Sequence, residues 1–144
     1  MKKFLYVALM TFVMIGMSAC SKDDDVLTGT KWAGQITETE NGLTITADVA
    51  VEFTTETAGK MSVAMVMTDE LRQMLIAFGM TEEEIAEMAE VETDDFTYTY
   101  DGESKGTITI KDEDGPDSIV NFTVDGDTLT LTEEGHNVVL TKQK

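Results

Sequence analysis

The chain has 144 residues, 28 of them acidic and 10 basic, for a formal charge of −18. Such a surface repels nucleic acid and anionic lipid headgroups, which argues against both as partners of the folded part and leaves room for a cationic one. A single cysteine excludes any disulfide within the chain, so the fold must rest on its hydrophobic core.

Met1-Lys2-Lys3 is a short positive segment, and Phe4 to Met17 is an apolar run broken only by Thr11 and Gly16. A membrane span needs ~20 apolar residues, so this run has the shape of a secretory signal. Met17-Ser18-Ala19-Cys20 resembles the lipobox of bacterial lipoproteins, with Met17 in place of the usual leucine. The resemblance implies cleavage after Ala19 and a diacylglyceryl group on the Cys20 thiol. Loss of residues 1–19 removes Lys2 and Lys3, so −18 becomes −20. Next comes Ser21-Lys22-Asp23-Asp24-Asp25. It resembles the export tag of Bacteroidota surface lipoproteins, a lysine followed by acidic residues. The resemblance implies an outer-membrane protein facing outward, with Lys22, Asp23 and Asp24 as the tag. Residues 20–28 read as a lipidated tether and residues 29–144 as one domain.

From Thr30 the chain alternates with period two, the mark of strands wet on one face. Trp32, Gly34 and Ile36 share a face of the first strand. Asn41-Gly42 is a strong hairpin signal, because both residues tolerate positive φ. Leu43, Ile45, Ala47, Val49, Val51 and Phe53 form the inner face of the second strand. After a turn at Ala58-Gly59-Lys60, Met61, Val63, Met65 and Met67 mark the third. Ala64 and Val66 make its far end apolar on both sides, which predicts a cover.

Residues 68–92 switch to helical spacing. Leu71, Met74, Leu75 and Phe78 form one stripe, with Thr68 as N-cap and Gly79 as the stop. Thr81 and Glu84 predict a capping box opening a second helix, with Ile85, Met88 and Ala89 on its apolar face. Alternation resumes near Phe96 with Tyr98 and Tyr100. It continues through Ile108 and Ile110, then Val120, Phe122 and Val124, then Leu129 and Leu131, then Val138 and Leu140. Tight turns are predicted at Asp101-Gly102, Asp125-Gly126 and Glu134-Gly135, and an acidic Gly-Pro turn at residues 112–117. The predicted fold is mainly β: an eight-stranded antiparallel up-and-down barrel with a two-helix insertion between strands three and four.

Leu27-Thr28-Gly29-Thr30-Lys31-Trp32, Val124-Asp125-Gly126-Asp127-Thr128-Leu129-Thr130-Leu131 and Val138-Val139-Leu140-Thr141-Lys142, together with the lipobox, resemble the small lipocalin-like lipoproteins of Bacteroidota. The resemblance covers the strands at both ends of the domain and not residues 68–92. It implies a barrel or half-barrel with an apolar interior. Fold alone does not imply an activity.

Six methionines lie within residues 61–88, a composition suited either to an adaptable pocket or to ordinary packing of helices on the barrel. The pocket reading names Trp32, Met65, Met67, Met74, Phe78, Phe96 and Tyr98 as candidate ligand contacts. Asp112-Glu113-Asp114-Gly115-Pro116-Asp117 lacks the length and distal glutamate of a calcium loop and reads as an acidic turn. His136 has no nucleophile-elbow serine to serve among Ser62, Ser104 and Ser118, so no catalytic or metal site is expected, and no cofactor. The sequence therefore predicts a monomeric, membrane-anchored envelope lipoprotein, not an enzyme. The leading expectation is binding of a small apolar or amphipathic ligand in the barrel; the alternative is an acidic surface presented to a protein or glycan, without a small-molecule pocket.

The anchor is tested directly. Each buried CH₂ of an acyl chain adds ~0.8 kcal/mol of membrane affinity, so Cys20→Ala is expected to release the protein from membranes. Mass spectrometry of the mature N-terminus is expected to find an acylated cysteine; an unmodified thiol would refute it.

Overall fold

A computed structural model describes residues 27–40 and 42–144. Residues 1–19, Cys20, Lys22, Asp23, Asp24 and Asn41 lie outside the described residues. The alternation becomes eight strands: β1 Lys31–Glu40, β2 Leu43–Phe53, β3 Ala58–Val66, β4 Glu92–Tyr100, β5 Lys105–Ile110, β6 Ser118–Asp125, β7 Thr128–Glu133 and β8 His136–Gln143. Each pairs antiparallel with the next, and β1 pairs with β8, so the sheet closes into a barrel. This architecture is consistent with a lipocalin-like fold. Between β3 and β4 stand α1, Asp69–Ala77, and α2, Glu82–Met88.

The turns obey local chemistry. The loop of the β7–β8 hairpin is Glu134-Gly135, with φ of 48° and 88°. Both are positive, as a type I′ turn requires. The β6–β7 loop is Gly126-Asp127, with positive φ at Gly126 (59°) among its residues, as in type II′. In the β4–β5 turn the Asp101 carboxylate accepts the backbone N–H groups of Glu103, Ser104 and Lys105 at 2.8, 2.9 and 3.0 Å.

The inner faces supply the core. Phe53, fully buried, is its hub: ring centroids lie 4.7 Å from Tyr98, 5.6 Å from Phe122 and 5.7 Å from Phe96. Room for these rings comes from glycines. Gly59 stands directly across from Phe96 and Gly106 from Phe122. A Cβ on Gly59 would lie 2.4 Å from the Phe96 ring, and one on Gly106 would lie 2.2 Å from that of Phe122. Each ring therefore covers the strand where a side chain is missing, the aromatic rescue used in curved sheets. Gly34 lets β8 approach β1, since a Cβ there would meet the Val139 carbonyl at 2.6 Å.

The outer face is polar and paired in register. Thr37 with Thr46, Thr39 with Thr44, Ser62 with Thr93, Thr107 with Asn121, Thr132 with Asn137 and Gln35 with Asp48 all hydrogen bond across strands. Lys31–Glu52 and Lys60–Asp95 are ion pairs at directly opposed positions. Such pairs fix register, each for a fraction of a kcal/mol. With an apolar inside and a polar outside, the barrel is the reverse of a membrane-spanning one. Among the described residues no helix is long and apolar enough to cross a membrane.

Three expectations need correction. The turn predicted at Ala58-Gly59-Lys60 belongs to β3, whose pairing begins there, and the chain turns at residues 54–57 instead. The legible alternation predicts β4 from Phe96, but the strand begins at Glu92. Glu92 to Asp95 are all polar, so hydropathy could not reveal it, although their backbone pairs with β3. The helical stripe also ends early. Leu71 is buried and Met74 and Leu75 are half-buried, whereas Phe78 is 80% exposed. Phe78 is the C-cap of α1. Past it, Gly79 N–H bonds Ile76 O and Met80 N–H bonds Leu75 O, a Schellman turn that takes the chain off the helical spiral.

The described closure, core and strand pairs are made by residues 27–143, so a chain beginning at Ser21 keeps every contact named here. Such a chain is expected to unfold in one cooperative transition. Phe53→Ala should lower its stability by about 3–5 kcal/mol, and Gly106→Ala by about 1–3 kcal/mol through overpacking. Urea unfolding followed by circular dichroism checks both; a neutral Gly106→Ala would remove the rescue argument.

Candidate functional site

The two ends of the barrel are built differently. At the proximal end, where β1 starts and β8 stops, Leu27 and Trp32 are buried and act as a plug. The Trp32 indole N–H donates to Thr30 Oγ1 at 2.9 Å, and that hydroxyl donates to the Leu27 carbonyl at 2.6 Å. Gly29 N–H bonds Phe53 O, and Phe53 N–H bonds Thr30 O, so the incoming chain is stitched to the core residue. Lys142 Nζ lies 5.7 Å from the Trp32 ring centre, within cation–π range. The Tyr98 hydroxyl donates to Thr55 O at 2.7 Å, also at this end. Burial pushes the Tyr98 hydroxyl's pKa above its ordinary value.

The distal end carries the β1–β2 hairpin, the helical insertion, the acidic turn and the β7–β8 hairpin. Inward-facing residues here are only half-buried: Ile45, Ala47, Val63 and Met65, with Glu38, Asp94, Glu133 and His136 around them. Burial, then repulsion from Glu134, raises the Glu133 carboxyl above the ordinary glutamate range. The acidic turn closes on itself, with Asp114 N–H bonding Asp112 Oδ1 and Lys111 ion-paired to Asp117.

The candidate ligand contacts do not converge. Trp32 plugs the proximal end, and Phe96 and Tyr98 belong to the buried aromatic cluster. Met65 and Met67 are half-buried at the distal end of β3, Met74 is half-buried on α1, and Phe78 points to solvent. The lower half of the barrel is thus filled by side chains.

Two open clefts lie on the outer wall instead. One, of about 420 Å³, is floored by Ala33, Ala50, Ser62 and Ala64 on β1–β3 with the Gln35–Asp48 pair, and walled by Val91. These small residues stand opposite one another: Ala33 faces Ala50, and Ala50 faces Ser62. The other, on β4–β6, is lined by Thr99, Thr107, Asn121 and Thr123 among others. Sequence alternation marks these positions as solvent-facing, except Ala64, whose strand end reads as apolar on both sides and predicts a cover. What could have flagged the first cleft is the break in the threonine and charge pattern at Ala33, Ala50 and Ala64.

Charge separates along the barrel axis. Of the basic residues from Leu27 onward, Lys31, Lys60, Lys105, Lys142 and Lys144 lie toward the proximal end. The distal pair, Arg72 and Lys111, are already ion-paired with Glu82 and Asp117. The carboxylates of Asp69, Glu70, Glu83, Glu84, Glu87 and Glu90 crowd the insertion. Thr81 N–H and its hydroxyl bond Glu84, completing a capping box and lowering that carboxyl's pKa.

Glu133 and Asp101 should show opposite pH dependence. The folded pKa of Glu133 is raised, so its contribution favours folding in acid and is lost as pH rises through that pKa. Glu133→Gln is therefore expected to raise the melting temperature at pH ~7, with the gain vanishing below the ordinary glutamate range of about 4.3. Three amide donors, that of Lys105 first, lower the Asp101 pKa. Its contribution is present above the ordinary aspartate range and lost in acid. Asp101→Asn should therefore destabilise near neutrality and not in acid. Melting curves across pH check both; parallel profiles for the two variants would contradict the assignment.

Compared with protein-family models, curated proteins and solved structures, the chain finds no match in any of the three.

Proposed function

We propose that the chain is a cell-envelope lipoprotein of the small lipocalin-like, Bacteroidota type, anchored through Cys20 and acting as an acidic interaction protein. The observation that carries this reading is the separation of charge along the barrel. The chain enters at the proximal end, so an anchor at Cys20 puts the membrane on the side of Lys31, Lys105, Lys142 and Lys144. The larger share of the carboxylates, those of the insertion, the acidic turn and the β7–β8 hairpin, then points away from the membrane, toward a partner, while Glu56, Asp101, Glu103, Asp125 and Asp127 stay at the proximal end. Surface potential of one sign steers oppositely charged partners and raises their rate of encounter. The tag-like Lys22-Asp23-Asp24 supports export to the cell surface, where such a partner would be met. The filled lower interior supports action from the outside of the barrel.

A second reading has its own observation. Ile45, Ala47, Val63 and Met65 face inward and are only half-buried. A small apolar ligand would be received there and by Met67 and Met74, without reaching Trp32 or Phe96.

Alanine at Lys22, Asp23 and Asp24 is expected to leave the protein membrane-bound but shielded from protease added to intact cells. Equal shaving of both forms would contradict surface export. For the interaction itself, immobilised protein is expected to retain a cationic protein such as cytochrome c at low salt and release it as salt rises. Replacing Glu83, Glu87 and Glu90 by glutamine should reduce retention more than replacing Asp101, Glu103 and Asp125. Equal loss from both sets would sink the distal-end reading. Binding of an apolar dye that Met65→Trp blocks would favour the ligand reading.

A further inference from the structure

The barrel wall carries one feature that neither filling the core nor fixing register requires. Along most of the outer surface, threonines and charged residues face solvent. On β1–β3 they thin out: Ala33, Ala50, Ser62 and Ala64, with the hydrogen-bonded Gln35–Asp48 pair beside them, floor an open cleft of about 420 Å³. That volume falls in the range of small binding clefts, about 300–1,000 Å³. Its wall is Val91, which is 63% exposed. Val91 also ends the helical insertion, so the cleft adjoins the acidic helices. Among the described residues, four of the six large apolar side chains left exposed lie on this same stretch: Ile76, Phe78, Met88 and Val91. Each helix buries only one residue, Leu71 on α1 and Ile85 on α2.

We propose that this cleft and the adjoining insertion form a docking surface for a cationic amphipathic helix of a partner protein. The proposal rests on the acidic-interaction reading above and names the partner class. β2 is paired on both sides, to β1 and to β3, so the middle of the floor offers no free backbone for an added strand. Whatever fills the cleft must do so with side chains, and an amphipathic helix presents a row of them. The charge of the partner follows from Asp48, which lines the cleft, and from the acidic insertion that ends at its wall, Val91. Glu83, Glu87 and Glu90 stand on or just past α2, and neither helix has a basic residue in its last turn. The C-terminal carbonyls of both helices thus lack the cation that their dipole favours, and a lysine or arginine of the partner supplies it. A second copy of this chain would bring like charge against like charge. An anionic membrane is disfavoured for the same reason.

The test uses the chain beginning at Ser21 and a fluorescent leucine–lysine peptide with leucines at helical spacing. Its controls are a scrambled peptide of the same composition and a leucine–glutamate counterpart. Fluorescence anisotropy is expected to show salt-sensitive binding of the helical leucine–lysine peptide, clearly tighter than that of the scrambled one, and none of the leucine–glutamate peptide. Ala50→Tyr fills the cleft from an exposed position, and Val91→Ser removes its wall; each should weaken binding by about tenfold. Circular dichroism of both variants should be unchanged, which separates lost binding from lost fold. Equal binding of the scrambled peptide would overturn the docking surface while leaving the acidic-interaction reading in place. Unchanged binding by Ala50→Tyr would also overturn it. No binding of any cationic peptide at low salt would sink both readings together. Concentration-dependent self-association abolished by Ala50→Tyr would overturn the proposal in favour of a second copy.

Discussion

The barrel depends on how Phe53 is accommodated. Eight strands enclose an interior just wide enough for side chains to fill, and a closed sheet cannot adjust by sliding an edge. Phe53 projects into that space against Phe96, Tyr98 and Phe122 at 4.7 to 5.7 Å. These rings fit because Gly59 and Gly106 carry nothing where Phe96 and Phe122 lie. Edge-to-face contacts of this kind contribute about 0.5–1.5 kcal/mol each beyond area burial. Closure, strand curvature and aromatic packing are therefore one constraint, and a change at either glycine is felt at Phe53.

That constraint makes the ends unequal. The rings occupy the proximal half, and the Leu27–Trp32 plug completes it. The distal half has no such rings, and its inner residues remain half-buried among carboxylates. The same asymmetry appears in charge. Lysines gather where the barrel is dry and sealed, and unneutralised acids gather where it is open and elaborated by helices. Repulsion among those acids costs stability, and Glu133, held above its ordinary pKa by burial, is one local case. The sealed half is what allows the open half to carry that cost.

Strand faces were legible because the inside of a small barrel must be apolar and the outside wet. Val49, Val51 and Phe53 are buried as their alternation requires, and the helix caps at Thr68 and Thr81 form where the capping residues stand. Hydropathy failed where the backbone, not the side chains, defines the structure. Glu92 to Asp95 form a strand by pairing with β3, and Phe78 leaves its stripe because Gly79 redirects the chain. The glycines read as turn residues or spacers, whereas Gly59 and Gly106 are packing partners of rings far away in sequence. The outer cleft was legible only at Ala64, for a related reason. Alanine at an outward position looks unremarkable alone, and only the register places Ala33, Ala50 and Ser62 side by side.

The helical insertion differs from the rest in how it is held. The wall is fixed by continuous ladders and by registered pairs such as Thr37 with Thr46 and Lys60 with Asp95. The helices rely on local devices: two threonine caps, a Schellman turn, the Arg72–Glu82 pair and one buried residue each. Exposed ion pairs contribute about 0–1 kcal/mol, and an N-cap typically about 1. Local opening free energy tracks buried contacts and the number of ladder bonds, so the insertion opens more readily than the barrel. The cleft lies on the border between the two, with a rigid floor on β1–β3 and a wall, Val91, at the end of the less stable segment. The floor is therefore held in register by the β1–β2 and β2–β3 ladders, while the wall belongs to the segment with the fewest such bonds.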